Sequence, residues 1–253
     1  MVGKSRQSLR NLAFEALISS YLLTGRQRQM GQRLELGPIT CVHYDYKWED
    51  QRRKVDNFFI WGVPPGEVAA IIAEYGPADD HLLFAVMDKP GLANEYMFAG
   101  FSALTPGNYL MAHSLDEIPH KPLPQEHSIH LASTAGETMF INVIEGADFV
   151  LMEDVLDPNL QFYYCLRGSE PLAMARNSRI GPDLSWISHV YTKPDYRGLG
   201  LASVLMSQIM NDCRNAGDRF SLLLATEPAH GFYQQLGYQD LAPVLNFHLP
   251  PAI

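Results

Sequence analysis

The segment Val190-Tyr191-Thr192-Lys193-Pro194-Asp195-Tyr196-Arg197-Gly198-Leu199-Gly200-Leu201-Ala202 limits the fold more than any other part of this chain. A strand-like run enters a turn containing a proline and two glycines, and beyond it Leu201, Leu205, Ile209 and Cys213 recur at four-residue steps. That order is strand, turn, helix. The first N–H groups of a helix lack carbonyl partners and lie at the positive end of aligned peptide dipoles, so such a turn suits an anion. Gly198 and Gly200 permit close backbone approach and unusual dihedrals. Arg197 supplies charge-assisted hydrogen bonds, and small Ala202 leaves room. The segment lacks the Gly-Lys-Ser/Thr ending of a Walker A loop and the Gly-x-Gly-x-x-Gly dinucleotide spacing. From these residues alone, a phosphate cradle and a tight structural turn both stay open.

The flanking sequence reads as α/β. Residues 162–166 and 171–176 form two strands about the turn Arg167-Gly168-Ser169-Glu170, and 185–192 forms the strand entering the loop. Residues 128–131 read as a strand and 138–145 as a helix; 200–216 is a helix, 220–225 a buried strand, 229–236 a helix and 244–249 a last strand. In the first half, apolar residues from Leu9 to Tyr21 mark an amphipathic helix ending near Gly25, strands fall at 39–46 and 58–61, and Pro64-Pro65-Gly66 opens a helix over 67–75. A buried strand at 82–87 and extended structure at 98–104 and 109–112 follow. Three prolines between Asp116 and Gln125 mark a crossing between lobes. The expected organisation is an N-terminal lobe over 1–118, a linker over 119–125 and a second domain over 126–253.

Charge and cysteine usage narrow the function. A formal net charge of -9 disfavours a general nucleic-acid binder and suits basic or amine-bearing partners. Cys41, Cys165 and Cys213 are too few and scattered for a disulfide framework or zinc cluster, which fits a cytoplasmic protein. His127 and His130 have a suggestive spacing without further ligands, so no metal is expected. No stretch approaches 18 apolar residues, so no membrane span is expected. Oligomeric state is not legible.

Arg197-Gly198-Leu199-Gly200-Leu201-Ala202 resembles the Arg/Gln-x-x-Gly-x-Gly/Ala acyl-CoA motif of the GNAT N-acetyltransferase superfamily. Phe232-Tyr233-Gln234-Gln235-Leu236-Gly237-Tyr238 resembles that family's Phe/Leu-Tyr-x-x-Leu-Gly-Phe/Tyr signature, in the right order and separated by the expected helix and strand. The resemblance covers residues 126–249. It implies a GNAT fold with acetyl-CoA or another short-chain acyl-CoA as cosubstrate, and a small-molecule or peptide amine as acceptor. It also implies that N–H groups of Arg197, Gly198, Leu199, Gly200, Leu201 and Ala202 cradle the pyrophosphate. Val190, Tyr191 and Thr192 would hold the pantetheine arm, with Val190 N–H aimed at the thioester carbonyl and Tyr233 as the acid that protonates the leaving thiolate.

Two family positions differ. A customary glutamate is Trp186 here, and a customary asparagine is Thr226. His189 and Glu227 then become the base candidates, with Ser188 as a relay; packing or capping roles stay open for both. A noncatalytic acyl-CoA-binding regulator is the alternative to an enzyme.

In the first half, Tyr96-Met97-Phe98-Ala99-Gly100-Phe101 repeats the spacing of Tyr233 to Tyr238, which suggests a diverged GNAT-like repeat. The helix entry Val63-Pro64-Pro65-Gly66-Glu67 loses donors to proline and repels phosphate through Glu67, so no second CoA site is expected. Tyr44, Tyr46, Trp48, Phe58, Phe59 and Trp61 are read as core aromatics, with an acceptor wall as the second reading.

Overall fold

A computed structural model describes residues 6–26, 31–48, 51–78, 80–145 and 150–249. Its elements come in two runs. The first is helix α1 (Arg6–Arg26), strands β1 (Gln32–Leu36), β2 (Ile39–Trp48) and β3 (Gln51–Ile60), helix α2 (Pro65–Tyr75), strand β4 (Asp80–Val86), helix α3 (Leu92–Phe98) and strand β5 (Ser102–Ser114). The second opens with β6 (His127–Leu131), α4 (Thr138–Glu145) and α5 (Met152–Leu156). It continues with β7 (Leu160–Arg167), β8 (Glu170–Gly181), β9 (Leu184–Thr192), α6 (Leu201–Asn215), β10 (Phe220–Thr226), α7 (Glu227–Gln235) and β11 (Gln239–His248).

In each run three successive antiparallel strands, β1–β3 and β7–β9, are followed by helix, strand, helix, strand, and the second run adds β6 antiparallel to β7. In each, the third strand of that meander pairs parallel with the strand after the helix: β3 with β4, and β9 with β10. The short sequence echo is also an echo of backbone geometry. Phe101 N–H donates to Tyr96 C=O at 3.1 Å and Gly100 N–H to Met97 C=O at 3.0 Å. Tyr238 N–H donates to Tyr233 C=O at 3.1 Å and Gly237 N–H to Gln234 C=O at 3.0 Å. Gly100 and Gly237 make these closures with φ of +93° and +92°, which a side chain would oppose. The first half thus repeats the element order and local backbone geometry of the second.

Packing divides the chain into two compact units. One holds Ala112–Leu223 and Phe232–Gln239, with strand order β10-β9-β8-β7-β6. The other holds the first half up to Met111, together with Leu224–Gly231 and the chain from Asp240, with order β1-β2-β3-β4-β11-β5. Each unit therefore contains the last strand segment of the other run. In the unit of the first half, β11 pairs antiparallel with β4, from Val244 opposite Val86 to Phe247 opposite Leu83. In the other, the end of β5 reaches Leu115, whose N–H donates to Arg219 C=O at 3.1 Å. The proline-bearing crossing has neither helix nor strand over residues 115–126, and Pro119 C=O accepts the Ser207 hydroxyl of α6 at 2.7 Å. The expected boundary at 119–125 follows chain order, whereas the packed units interleave.

Apolar cores support these sheets. Ile39, Phe58, Val68, Ile72, Leu83, Tyr96 and Phe247 meet in one, and Ile141, Ile144, Leu160, Phe162 and Met174 in another. The α6 residues Leu205, Met206, Ile209 and Met210 are fully buried, as their helical spacing requires. Phe58 and Phe59 are core residues; Tyr44 donates to Tyr21 C=O and Trp61 to Asp88. The side chains of Tyr46 and Trp48 lie outside the described residues. No helix among the described residues is long and apolar enough to cross a membrane.

Candidate active site

Strand β9 pairs with β8 along most of its length but with β10 at three positions only: Leu184 with Phe220, Ser185 with Ser221 and Trp186 with Leu222. Beyond Trp186 it runs on to Thr192 without a β10 partner. A strand edge left this way presents backbone N–H and C=O groups to a ligand chain. The corresponding strands of the first half stay zipped over six pairs, from Val55 opposite Asp80 to Ile60 opposite Ala85. Trp186, where the family's glutamate was sought, is buried at the last paired position and carries no ionisable group.

At His189 the strand changes direction. Its φ is +51°, rare for a non-glycine residue, and the β8–β9 register shifts between Met174 and Arg176. The bulge breaks the strict alternation expected of neighbours, so sequence parity does not fix the directions of His189 and Val190. The His189 ring keeps surface exposure, yet desolvation by its surroundings and then the Arg176 charge push its pKa down to about 4. At neutral pH it is an uncharged imidazole.

The chain then enters a one-turn 3-10 helix, Pro194–Tyr196. The Tyr196 hydroxyl donates to Glu170 at 2.9 Å and accepts from Arg167 at 3.2 Å, so the β7–β8 turn braces the loop from outside. Arg197 N–H already donates to Pro194 C=O at 3.2 Å, and its Nε to Thr192 C=O at 3.1 Å. The remaining guanidinium lies over Tyr191, 5.8 Å from the ring centroid. Gly198 and Gly200 both have φ of +79°, and a Cβ at either would meet nothing within 4 Å. Their requirement is conformational rather than steric. Gly200 caps α6 without a side-chain hydrogen bond, and the first helical bond runs from Val204 N–H to Gly200 C=O. The earlier N–H groups of Leu201, Ala202 and Ser203 therefore face the mouth of the helix. The loop residues Arg197, Gly198, Leu199 and Gly200 are exposed around it.

Tyr233 lies on α7 in the same packed unit as His189, Val190 and the glycine loop. It is 9% exposed, with edge-on contacts to Phe232 and Tyr238. Burial pushes its pKa up to about 12, so its hydroxyl stays protonated. Beneath it, Tyr238 and Ser221 hydroxyls share a 2.6 Å hydrogen bond. Glu227 is exposed as the first residue of α7 and packs with the other unit. His230 shares that unit, bonded to Asp240 at 2.7 Å and stacked on Tyr109. His127 Nδ1 engages Gln125 C=O, and His130 Nε2 engages the Ser128 hydroxyl. Among the described residues no three His, Cys, Asp or Glu side chains gather as a metal site. Burial raises the Cys165 and Cys213 thiols to about 11 and about 12, so neither is a ready nucleophile.

An open strand edge, a left-handed glycine turn at a helix mouth and a buried tyrosine thus fall in one packed unit. Residues 126–238 match the Acetyltransferase (GNAT) family. That segment is a GNAT domain. GNAT proteins transfer acyl groups from acyl-CoA to amines, which sets the general chemistry of the domain. A GCN5-related N-acetyltransferase from Kribbella flavida aligns with TM-score 0.70 at 20% identity, covering 95% of this chain and 96% of its own. A GCN5-related N-acetyltransferase from Sphaerobacter thermophilus aligns at 0.61 and 13% identity, covering 85% and 78%. A tandem GNAT protein from the clavulanic acid biosynthesis pathway, solved without AcCoA, aligns at 0.54 and 10% identity, covering 83% and 82%. At these identities the likeness is one of fold, and it extends over the first half as well. No curated protein sequence matches the chain.

Sequence reasoning missed the bulge at His189 and the buried Arg176 behind it. A positive φ at histidine has no sequence marker, and an arginine inside a strand reads as surface.

Proposed function

We propose that this GNAT protein transfers an acetyl or other short acyl group from acyl-CoA directly to an amine, with a small molecule or peptide amine as acceptor. The observation that carries the reading is the parting of β9 from β10 after Trp186, beside the left-handed turn at Gly198 and Gly200. The free β9 edge at Val190, Tyr191 and Thr192 suits a pantetheine arm. The N–H groups of Gly198 through Ala202 suit the pyrophosphate, with Arg197 contributing side-chain charge.

In the reaction, the amine nitrogen attacks the thioester carbonyl carbon and Val190 N–H supports the oxyanion. The C–S bond then breaks and its electron pair leaves on sulfur, with the Tyr233 O–H hydrogen-bonded to the thiolate and the proton released by the amine reaching sulfur through solvent. A tyrosine near pKa 12 facing a thiol near about 8.5 favours a strong hydrogen bond to the developing thiolate over early full proton transfer. The nitrogen loses its proton to His189 or through water. Only roughly one in a thousand alkyl amines is neutral at pH 7.4, so this step governs the pH dependence. The three free, buried cysteines suit a reducing compartment, and we assign the protein to the cytoplasm.

An acetyl-CoA turnover screen across amines, read by thiol release, tests the proposal. Amine-dependent release is expected. Saturable acetyl-CoA binding without any release would favour a noncatalytic acyl-CoA-binding regulator instead.

A further inference from the structure

Behind the β9 bulge lies a cation that the proposed chemistry does not use. Arg176, on β8, is 2% exposed. Its Nε donates to the Ser188 hydroxyl at 2.9 Å. Burial lowers its pKa to about 10 against the attraction of Asp154, a buried carboxylate on α5, so the guanidinium remains charged at neutral pH. Taking a guanidinium and a carboxylate out of water is costly, and an apolar residue would fill a strand interior with less penalty. A charge kept at this point, one residue before His189, has a local task.

We infer that Arg176 is a positioning residue for acyl transfer: from within β8 its guanidinium fixes the Ser188–His189 bend that aims Val190, and sets a permanent positive charge behind the His189 imidazole. The inference rests on the acyl-CoA reading of the Val190 strand. Its chemical consequence concerns the acceptor. Amines arrive mostly as ammonium ions, and an imidazole that stays uncharged can accept a hydrogen bond from one instead of repelling it.

Among the described residues, Arg176 is the charged group set to do this. Strand β10 carries no titratable side chain, and neither does α4 over residues 138–144. On α6, Asp212 is bonded to Tyr163 and Gln208, and Arg214 to Asn211, while Cys213 is an uncharged thiol. On β8, Glu170 is held by Tyr196 and Arg167, and Arg179 lies beyond Ser178.

The test is an NMR titration of the histidine rings in the protein without cosubstrate, with the His189 signal assigned by its loss in His189→Gln. The expected wild-type midpoint is below pH 5; because burial is the larger cause of the depression, Arg176→Met should raise it part of the way toward the ordinary value of about 6.5. Arg176→Lys should keep the midpoint low, and it covers the case in which Arg176→Met fails to fold. Ser188→Ala should also keep the midpoint low, yet reduce kcat about tenfold at unchanged acetyl-CoA affinity, because Val190 N–H is displaced from the oxyanion. A wild-type midpoint near 6.5, an unchanged midpoint in folded Arg176→Met, a midpoint in Arg176→Lys as high as an uncharged replacement would give, or an undiminished kcat in Ser188→Ala would each overturn the inference. Failure of the acyl-CoA reading would appear separately, as absence of acetyl-CoA binding heat in the wild type.

Discussion

Gly237 stands directly against His113: a Cβ built on it would come 3.0 Å from His113 Nε2, at a φ of +92°. His113 is buried on β5, so its ring has little freedom to retreat. Gly237→Ala combines backbone strain with this contact and should cost about 2 kcal/mol. In a chain of 253 residues that is a loss of about 4–8 °C in Tm, readable by calorimetry. Because Gly237 closes the helix that carries Tyr233, kcat should fall with it.

Tyr233→Phe removes the hydroxyl and little else. We expect kcat/KM for the preferred amine to fall about 100-fold, with acetyl-CoA affinity within about twofold of wild type. Since burial holds Tyr233 at about 12, the wild-type rate should climb with pH as the amine deprotonates, with no decline from this tyrosine below about pH 10. An early alkaline decline that vanishes in Tyr233→Phe would reject this picture.

At Gly200 the constraint is dihedral, since nothing lies within 4 Å of an added Cβ. Gly200→Val should therefore weaken acetyl-CoA binding at least about tenfold by moving the helix mouth, while thermal stability changes by only a few degrees. Isothermal titration and a melt on the same sample separate the two effects.

The first repeat should not bind acyl-CoA. Its β3 and β4 strands remain paired through Ile60 and Ala85, and its helix entry carries Pro64 and Pro65. Titration with acetyl-CoA should saturate at one molecule per chain. A second site of similar affinity would contradict the zipped-strand argument.

Glu137 provides a test of the scaffold. Against desolvation, which raises its pKa, hydrogen bonds from Ser133 N–H, Tyr164 OH and Thr134 pull it down to about 2. The folded pKa is depressed, so the stabilisation is present above the unfolded value of about 4.5 and lost as pH falls toward 2. Glu137→Gln should lower Tm at pH 7, and the gap from wild type should narrow below about pH 4.5 and close as pH falls through about 2.

Much of the second run was legible in the sequence because its signals are local. The glycines before Leu201, the four-residue apolar steps of α6 and the aromatic-glycine end of α7 each act within one element. Helix α4 has the expected bounds, since its apolar face is strongly periodic. The first run was harder. Strand β1 is a short charged segment, β3 begins with the polar Gln51-Arg52-Arg53-Lys54, and α3 is too brief to show a period. What escaped entirely was non-local: the Arg176 guanidinium reaching Ser188, the φ of His189, and the pairing of β11 with β4. These depend on which distant segments meet, and adjacent residues do not encode that.

The placement of β11 beside β4, with the tail of β5 packed in the other unit, has an evolutionary reach. A cut after residue 118 would leave the N-terminal fragment without its β11 partner and deprive the remainder of His113 behind Gly237. Neither piece retains every backbone partner it has in the intact chain. Each run thus lends a strand segment to the unit that the other run builds, so the two are inherited together.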